Sequence, residues 1–228
     1  MSRKDRVAVI FLEHGRGTDS SLGADRRVGG TEMSPGPSSY NVGRARVRQA
    51  LAQRLGVDTE SLRVCRWVRC GTDALVLRAY GARDAAYFSV SHTPCMSVLA
   101  MSSRPYIGID VERIRQLSVP AGLAATRVSK LVGLPELATL RSDRAYLEAW
   151  THIEAFWKAS GETVARFDRR RGSMRSGGTI AAGIDIKVSS LNAPCGYVAA
   201  VARWEPAEVV TEIYSARPYQ ILQVGEWI

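Results

Sequence analysis

A helical stretch followed by a series of short strand-like pieces, met twice along the chain, limits the fold of this sequence more than any other feature. The first helix is predicted over about residues 42–55, where Val42, Ala45, Val47, Ala50, Leu51 and Leu55 recur at helical spacing between Arg44, Arg46, Arg48 and Arg54. Gly56 supplies the stop, and strand-like segments follow at 62–68, 74–79, 87–90, 96–101 and 107–111. The order then repeats loosely, with helices at 121–132 and about 142–160 and strands at 184–188, 197–203 and 209–214. So little strict strand-helix-strand alternation argues for an α+β fold. The pattern divides into an N-terminal half, 1–115, and a C-terminal half, 116–228, expected to form one compact unit because no linker between them could separate independent domains.

Ahead of the first helix, Val7-Ala8-Val9-Ile10-Phe11-Leu12 is apolar and is interrupted by Glu13-His14 where a secretory leader would continue to small residues. It reads as a first buried strand, and the protein is expected in the cytoplasm. Residues 14–41, with Pro35-Gly36-Pro37-Ser38-Ser39, lack apolar periodicity and read as a loop. Four scattered cysteines (Cys65, Cys70, Cys95, Cys195) contain no Cys-x-x-Cys pair, which argues against a zinc ribbon or disulfide scaffold and for reduced thiols. No stretch approaches the roughly 20 apolar residues of a membrane span. A hydrophobic share of 46% over 228 residues excludes a disordered chain.

The net charge of +9 is uneven: residues 1–115 carry 18 basic and 11 acidic side chains (+7), the remainder 13 and 11 (+2). An anionic partner follows, whether nucleic acid, a phosphorylated small molecule or an acidic protein. The arginines are dispersed and no helix-turn-helix, zinc-finger or aromatic RNA-binding signature is present, so nucleic acid is the less supported choice.

Three segments carry candidate chemistry. In Tyr106-Ile107-Gly108-Ile109-Asp110-Val111-Glu112, apolar residues at 107, 109 and 111 mark a strand, which sets Asp110 and Glu112 side by side on its other face. Two such carboxylates repel unless a cation lies between them, and Mg²⁺ takes carboxylate and phosphate oxygens. Taken alone, the segment fits better two exposed acids at a strand end, each facing solvent or an Arg such as Arg113. In the second segment, 150–161, Trp150, Ile153, Trp157 and Ser160 trace one helical stripe, while Glu154 and Lys158 are i,i+4 neighbours on another face. They form either a surface ion pair or a carboxylate and a phosphate-binding ammonium. The third, Phe88-Ser89-Val90-Ser91-His92-Thr93, alternates apolar and small polar residues and ends on His92, which has no metal-ligand spacing to His14 or His152.

Order and spacing say more than any segment alone. Ser91-His92, then Gly108-Ile109-Asp110-Val111-Glu112, then Trp150-x-x-x-Glu154-Ala155-x-x-Lys158-x-x-Gly161 resembles the motifs of the 4′-phosphopantetheinyl transferase superfamily. The length, Gly43-Arg44-Ala45 with Arg48 ahead of the first motif, and Gly196-Tyr197-Val198-Ala199-Ala200-Val201 near the end look like its larger, surfactin-synthetase-activator type. The resemblance spans about residues 40–215.

The resemblance implies a pseudo-two-fold arrangement of two similar α+β halves, with coenzyme A in the cleft between them as co-substrate. It implies transfer of the phosphopantetheine arm to a serine of acyl or peptidyl carrier proteins of polyketide or nonribosomal-peptide assembly lines, releasing 3′,5′-adenosine bisphosphate. By matching position, Asp110, Glu112 and Glu154 would hold Mg²⁺ (or Mn²⁺), and Glu154 would also assist deprotonation of the serine. His92 with Ser91 would contact the nucleotide's phosphate, Lys158 a pyrophosphate or pantetheine phosphate oxygen, and Arg44 and Arg48 the coenzyme. A monomer is expected if both halves lie in one chain. Two departures stand out: position 153 is Ile where the family has Lys, and the Gly-Lys-Pro motif upstream of Ser-His is missing. Gly71-Thr72-Asp73 or Gly81-Ala82-Arg83 stands near that place, and Arg78 or Arg83 could supply the missing cation. These departures keep a second reading open, a catalytically silent relative that binds carrier proteins. The run 166–175, with five arginines and one aspartate, is either a solvated loop or a dock for an acidic carrier helix.

Overall fold

Alternation along the strands sorts side chains into three cores, and the cores define the layers. The computed structural model describes residues 6–14, 39–68, 75–80, 85–161, 178–180, 184–204, 208–214 and 221–222. In chain order these form β1 (Arg6–Glu13), α1 (Ser39–Arg54), β2 (Arg63–Val68), β3 (Leu75–Tyr80), β4 (Ala85–Thr93), β5 (Met96–Ser102), β6 (Ile107–Arg113) and α2 (Ala121–Val132). A 3-10 turn at Pro135–Thr139 leads to α3 (Asp143–Ser160), followed by β7 (Gly178–Ile180), β8 (Ile184–Ser190), β9 (Tyr197–Trp204), β10 (Glu208–Tyr214) and β11 (Ile221–Leu222). The fold is α+β, with two sheets ordered β11-β10-β1-β5-β4-β3-β2 and β6-β9-β8-β7.

Between the sheets, Val7, Val9 and Phe11 of β1 and Val98 and Ala100 of β5 meet Ile109 and Val111 of β6 and Val201 of β9. On the far side of the larger sheet, Ile10, Phe88, Leu99 and Met101 meet Val47, Leu51 and Leu55 of α1. On the far side of the smaller sheet, Ile186, Ala200 and Ala202 meet Ile153, Phe156 and Trp157 of α3 with Val128 and Val132 of α2. The result is four layers, helix on sheet on sheet on helix. Each fully buried Leu, Ile or Phe in such a core contributes about 1.5–3 kcal/mol.

The helices and strands expected from the sequence are present, with β4 extended at both ends and with β7, β11 and the 3-10 turn in addition. What periodicity did not show is how the halves interleave. β6, from before residue 115, joins the smaller sheet, and β10 and β11, from after it, join the larger one. β10 pairs parallel with β1, which pairs antiparallel with β5 on its other side, so the first apolar strand is internal to its sheet. Cys65, Cys95 and Cys195 are free thiols, and no described helix is long and apolar enough to cross a membrane. The arginine run 166–175, Gly71-Thr72-Asp73, Gly81-Ala82-Arg83 and Cys70 lie outside the described residues.

Candidate active site

β6 is the terminal strand of the smaller sheet, so one row of its backbone groups lacks a neighbouring strand. Side chains from two other layers take that place. The Ile109 N–H donates to Ser89 Oγ (3.2 Å) and the Val111 N–H to Ser91 Oγ (3.3 Å), both serines coming from β4. Lys158 of α3 donates from Nζ to the Ile109 carbonyl at 3.0 Å. The edge is thereby closed, and the strand is held between β4 and α3 at the point where its carboxylates emerge.

Alternation then decides which way those carboxylates face. Ile107, Ile109 and Val111 enter the core between the sheets, leaving Gly108, Asp110 and Glu112 on the side of α3. Gly108 lets the helix approach: a Cβ there would lie 1.9 Å from the Ala155 carbonyl oxygen and 2.6 Å from the Ala159 nitrogen. Asp110 is buried, at 5% exposure. Its Oδ1 accepts from Ser91 Oγ (2.8 Å) and from Lys158 Nζ (2.7 Å). Its Oδ2 is also buried and has no hydrogen-bond partner in the protein, an arrangement that is costly unless something else satisfies the oxygen.

Lys158 therefore pairs with Asp110 rather than with Glu154, the partner that i,i+4 spacing offered. Glu112, half-buried, faces Arg115 at 3.5 Å rather than Arg113. Burial pushes the Glu112 carboxyl above the usual range, and the Asp110 charge adds to this, with Glu154 contributing less; Arg115 and Lys158 act in the other direction. Glu154 is likewise pushed up by burial, with Lys158 opposing and the Asp110 charge assisting. The three carboxylates thus sense one another, a crowding that a divalent cation relieves. Their donor chemistry and the unpartnered Oδ2 suit a hard cation. As they stand, no three His, Cys, Asp or Glu side chains among the described residues are grouped closely enough to hold a metal, so a cation would have to draw Glu112 and Glu154 inward.

Ile153 is 2% exposed in the core beneath α3. It packs there with Ile186, Ala200 and Ala202 of the smaller sheet, so an apolar residue belongs at this position. Ser142 caps the start of α3, its hydroxyl accepting from the Ala145 N–H at 3.2 Å. Beside Glu112 opens a cavity of about 430 Å³ lined by Arg115, Leu117, Tyr146, Leu147 and Trp150 among others. Tyr146 stacks on Trp150, with ring centroids 6.3 Å apart.

Ser91 and His92, adjacent in sequence, go to opposite faces of β4. Ser91 serves Asp110, whereas His92 lies on the α1 side, its Nδ1 2.7 Å from Ser97 Oγ of β5. Ser97 in turn lies 3.0 Å from His14 Nε2. Arg44 is exposed and within electrostatic reach of His92. Arg48 donates to the Leu62 carbonyl at 2.8 Å, and Arg46, on another face of α1, to that of Glu13. Arg78 lies over the rings of Tyr80 and Tyr87 at 4.9 and 5.1 Å. His152 bonds Ser190 Oγ at 2.7 Å, on the other side of the smaller sheet's helix.

Sequence reasoning missed Ser89, Ser97 and His14. Ser89 had a signal, since Ser89-x-Ser91 puts two hydroxyls on one strand face. Ser97 had none within its apolar run. Removing the hydroxyl in Ser91→Ala leaves both the Val111 N–H and one Asp110 contact unmet, and Ser89→Ala leaves the Ile109 N–H unmet. Each variant is expected to lose about 1–3 kcal/mol of stability, read from denaturant midpoints. Hydrogen exchange should accelerate at the Ile109 and Val111 amides above all, and unchanged protection there would show that the serines do not close the edge. No family model matches the chain, and no curated protein does.

Proposed function

We propose that this protein is a Mg²⁺-dependent 4′-phosphopantetheinyl transferase that converts apo acyl or peptidyl carrier proteins to their holo form, using coenzyme A. The observation that carries this reading is the meeting of three separate motifs on one oxygen. Ser91, 19 residues before Asp110, and Lys158, 48 residues after it, both bond Asp110 Oδ1.

Asp110, Glu112 and Glu154 would hold the metal ion against the coenzyme's pyrophosphate. When bound, the ion neutralises charge on the transferring phosphoryl group. Lys158, already anchored on Asp110 and the Ile109 carbonyl, offers its ammonium as a fixed positive charge beside the same oxygens. The carrier serine oxygen attacks the phosphorus bearing the pantetheine arm. That P–O bond forms as the bond to 3′,5′-adenosine bisphosphate breaks, and the serine proton passes to the Glu154 carboxylate. Burial, which raises the Glu154 carboxyl, moves it toward the range in which a carboxylate works as a base. The cavity beside Glu112 suits the pantetheine arm, its Leu117, Leu147 and Trp150 walls facing the arm's gem-dimethyl and methylene groups and its Arg115 rim facing amide oxygens. The pseudo-two-fold relation of halves, the acidic carrier surface and the monomeric state belong to the same reading.

The test is incubation with coenzyme A, Mg²⁺ and several apo carrier proteins, followed by intact mass. A gain of one phosphopantetheine on the carrier serine is expected. Coenzyme A binding without transfer to any carrier would favour the catalytically silent carrier-binding relative, and neither binding nor transfer would overturn the proposal.

A further inference from the structure

Each sheet has two terminal strands, and the protein treats them unequally. β6 is closed by Ser89, Ser91 and Lys158, while β7 and β11 are three and two residues long. β2, at the opposite end of the larger sheet from β11, has six residues. It pairs with β3 in an antiparallel register that sets Arg63 opposite Tyr80, Val64 opposite Ala79 and Cys65 opposite Arg78. Every second residue of such a strand turns its N–H and C=O away from the ladder. Among the described residues nothing bonds to that outer side of β2. An unpaired row of this kind is a template for one more strand.

The two faces of the strand differ. Opposite residues of an antiparallel pair share a face, so Arg63 and Cys65 lie with Tyr80 and Arg78, and Val64 lies with Ala79 on the other. The Arg63 side chain is exposed and, among the described residues, makes no hydrogen bond or ion pair. Val64, at 42%, is one of two exposed large apolar side chains among those residues. Beside the strand opens a cavity of about 890 Å³ lined by Arg63, Cys65 and Tyr80, with Gln53, Asp58 and Ser61 from the end of α1 and the turn after it. It gives room to side chains of an added strand. The surroundings are basic: residues 39–80, from α1 through β3, carry eight arginines and three acids.

We propose that the outer side of β2 is a docking site for an extended acidic segment of a partner protein, which joins the seven-stranded sheet as an eighth strand. Bonds to the outward N–H and C=O groups supply the pairing, and the alternating side chains supply the choice of partner. Carboxylates on one face of the added strand lie beside Arg63, and apolar residues on its other face cover Val64. Asp58 is the acid in the cavity's described lining, so uncharged side chains of the segment belong toward it. Charge favours this occupant over a second copy of the chain. Two β2 strands side by side would set arginine against arginine in a protein of net charge +9, and like charges on neighbouring strands oppose pairing. The site lies two strands beyond β4 and does not rest on the transferase reading.

The probe is a fluorescein-labelled peptide of alternating Glu and Val, about eight residues long to span the strand, followed by anisotropy at low salt. Binding is expected, and it should weaken as salt is added. Replacing every Glu by Lys should weaken it at least about tenfold. Prolines at two central positions, which remove backbone donors, should do the same. Arg63→Glu should reverse the preference between the Glu and Lys peptides. Hydrogen exchange locates the bound strand: alternate amides within Arg63–Val68 should slow when the acidic peptide binds, while Ile109 and Val111 keep their rates. No binding, equal binding of the Glu and Lys peptides, or binding that leaves the β2 amides unprotected overturns the proposal. Sedimentation tests the other occupant. A dimer of the free protein with its β2 amides already protected assigns the edge to a second copy, and overturns the proposal as well.

Discussion

On the transferase reading proposed above, Asp110→Asn is expected to slow phosphopantetheine transfer by at least about 10²-fold, the scale on which removing one preorganised electrostatic contact slows an enzyme, while the chain still folds. The amide keeps the shape of the carboxyl and an oxygen for Ser91 Oγ and Lys158 Nζ, which now bond Oδ1 at 2.8 and 2.7 Å. What it removes is the negative charge and the buried Oδ2 that has no protein partner. Lys158 then faces a neutral group, and the carboxylate nearest the centre of the cluster is gone. A second readout follows from the neighbours. The Asp110 charge is one cause, after burial, of the raised Glu112 and Glu154 carboxyls. Removing it lets both ionise at lower pH, so the acid limb of any residual activity should move downward. Time courses of holo-carrier formation against pH measure both effects, and thermal unfolding checks the fold. Full activity in Asp110→Asn would exclude Asp110 from holding a metal ion.

Among the described glycines, Gly108→Ala should be the most damaging substitution, whatever the protein does. Its new Cβ would lie 1.9 Å from the Ala155 carbonyl oxygen and 2.6 Å from the Ala159 nitrogen, both backbone atoms of α3. No rotamer change relieves such a contact. The helix has to move away from β6, which opens the packing of Ala155 and Ala159, both fully buried, and pulls Lys158 from Asp110. Overpacking of this kind costs about 1–3 kcal/mol and sometimes more, and the upper part of that range is expected here. Gly122→Ala is the control: its nearest neighbour, Arg141 Nη1, lies 3.6 Å away at the end of a flexible side chain, so stability should change by no more than about 0.5 kcal/mol. Urea midpoints with unchanged slopes compare the two, and equal effects would refute the close approach of α3 to β6.

Much of the local structure was legible because it is written in spacing. The apolar alternation at 107, 109 and 111 marked β6 and put Asp110 and Glu112 on one face. The stripe through Trp150, Ile153 and Trp157 marked α3. Helical spacing showed that Arg44, Arg46 and Arg48 could not all share one face and left Arg44 and Arg48 as the pair; it did not show that Arg48 donates to the Leu62 carbonyl. The partners of these residues were less legible. Sequence distance offered Glu154 to Lys158 and Arg113 to Glu112, but the structure pairs them with Asp110 and Arg115, since ion pairs follow burial and approach rather than adjacency. Ser91 and His92 read as one motif and part to opposite faces of β4, as neighbouring strand residues must.

The sequence by itself determined the elements, their amphipathic faces and the set of charged residues available to a site, because periodicity of 2 or 3.6 is a property of the chain alone. Only the tertiary structure decided that β6 would be an edge strand, that Ser89, Ser91 and Lys158 would close that edge, and that Ser97 would lie between His14 and His92. Those outcomes depend on which layers stack and how nearly they approach, and long-range packing leaves no repeat in the sequence from which to read it.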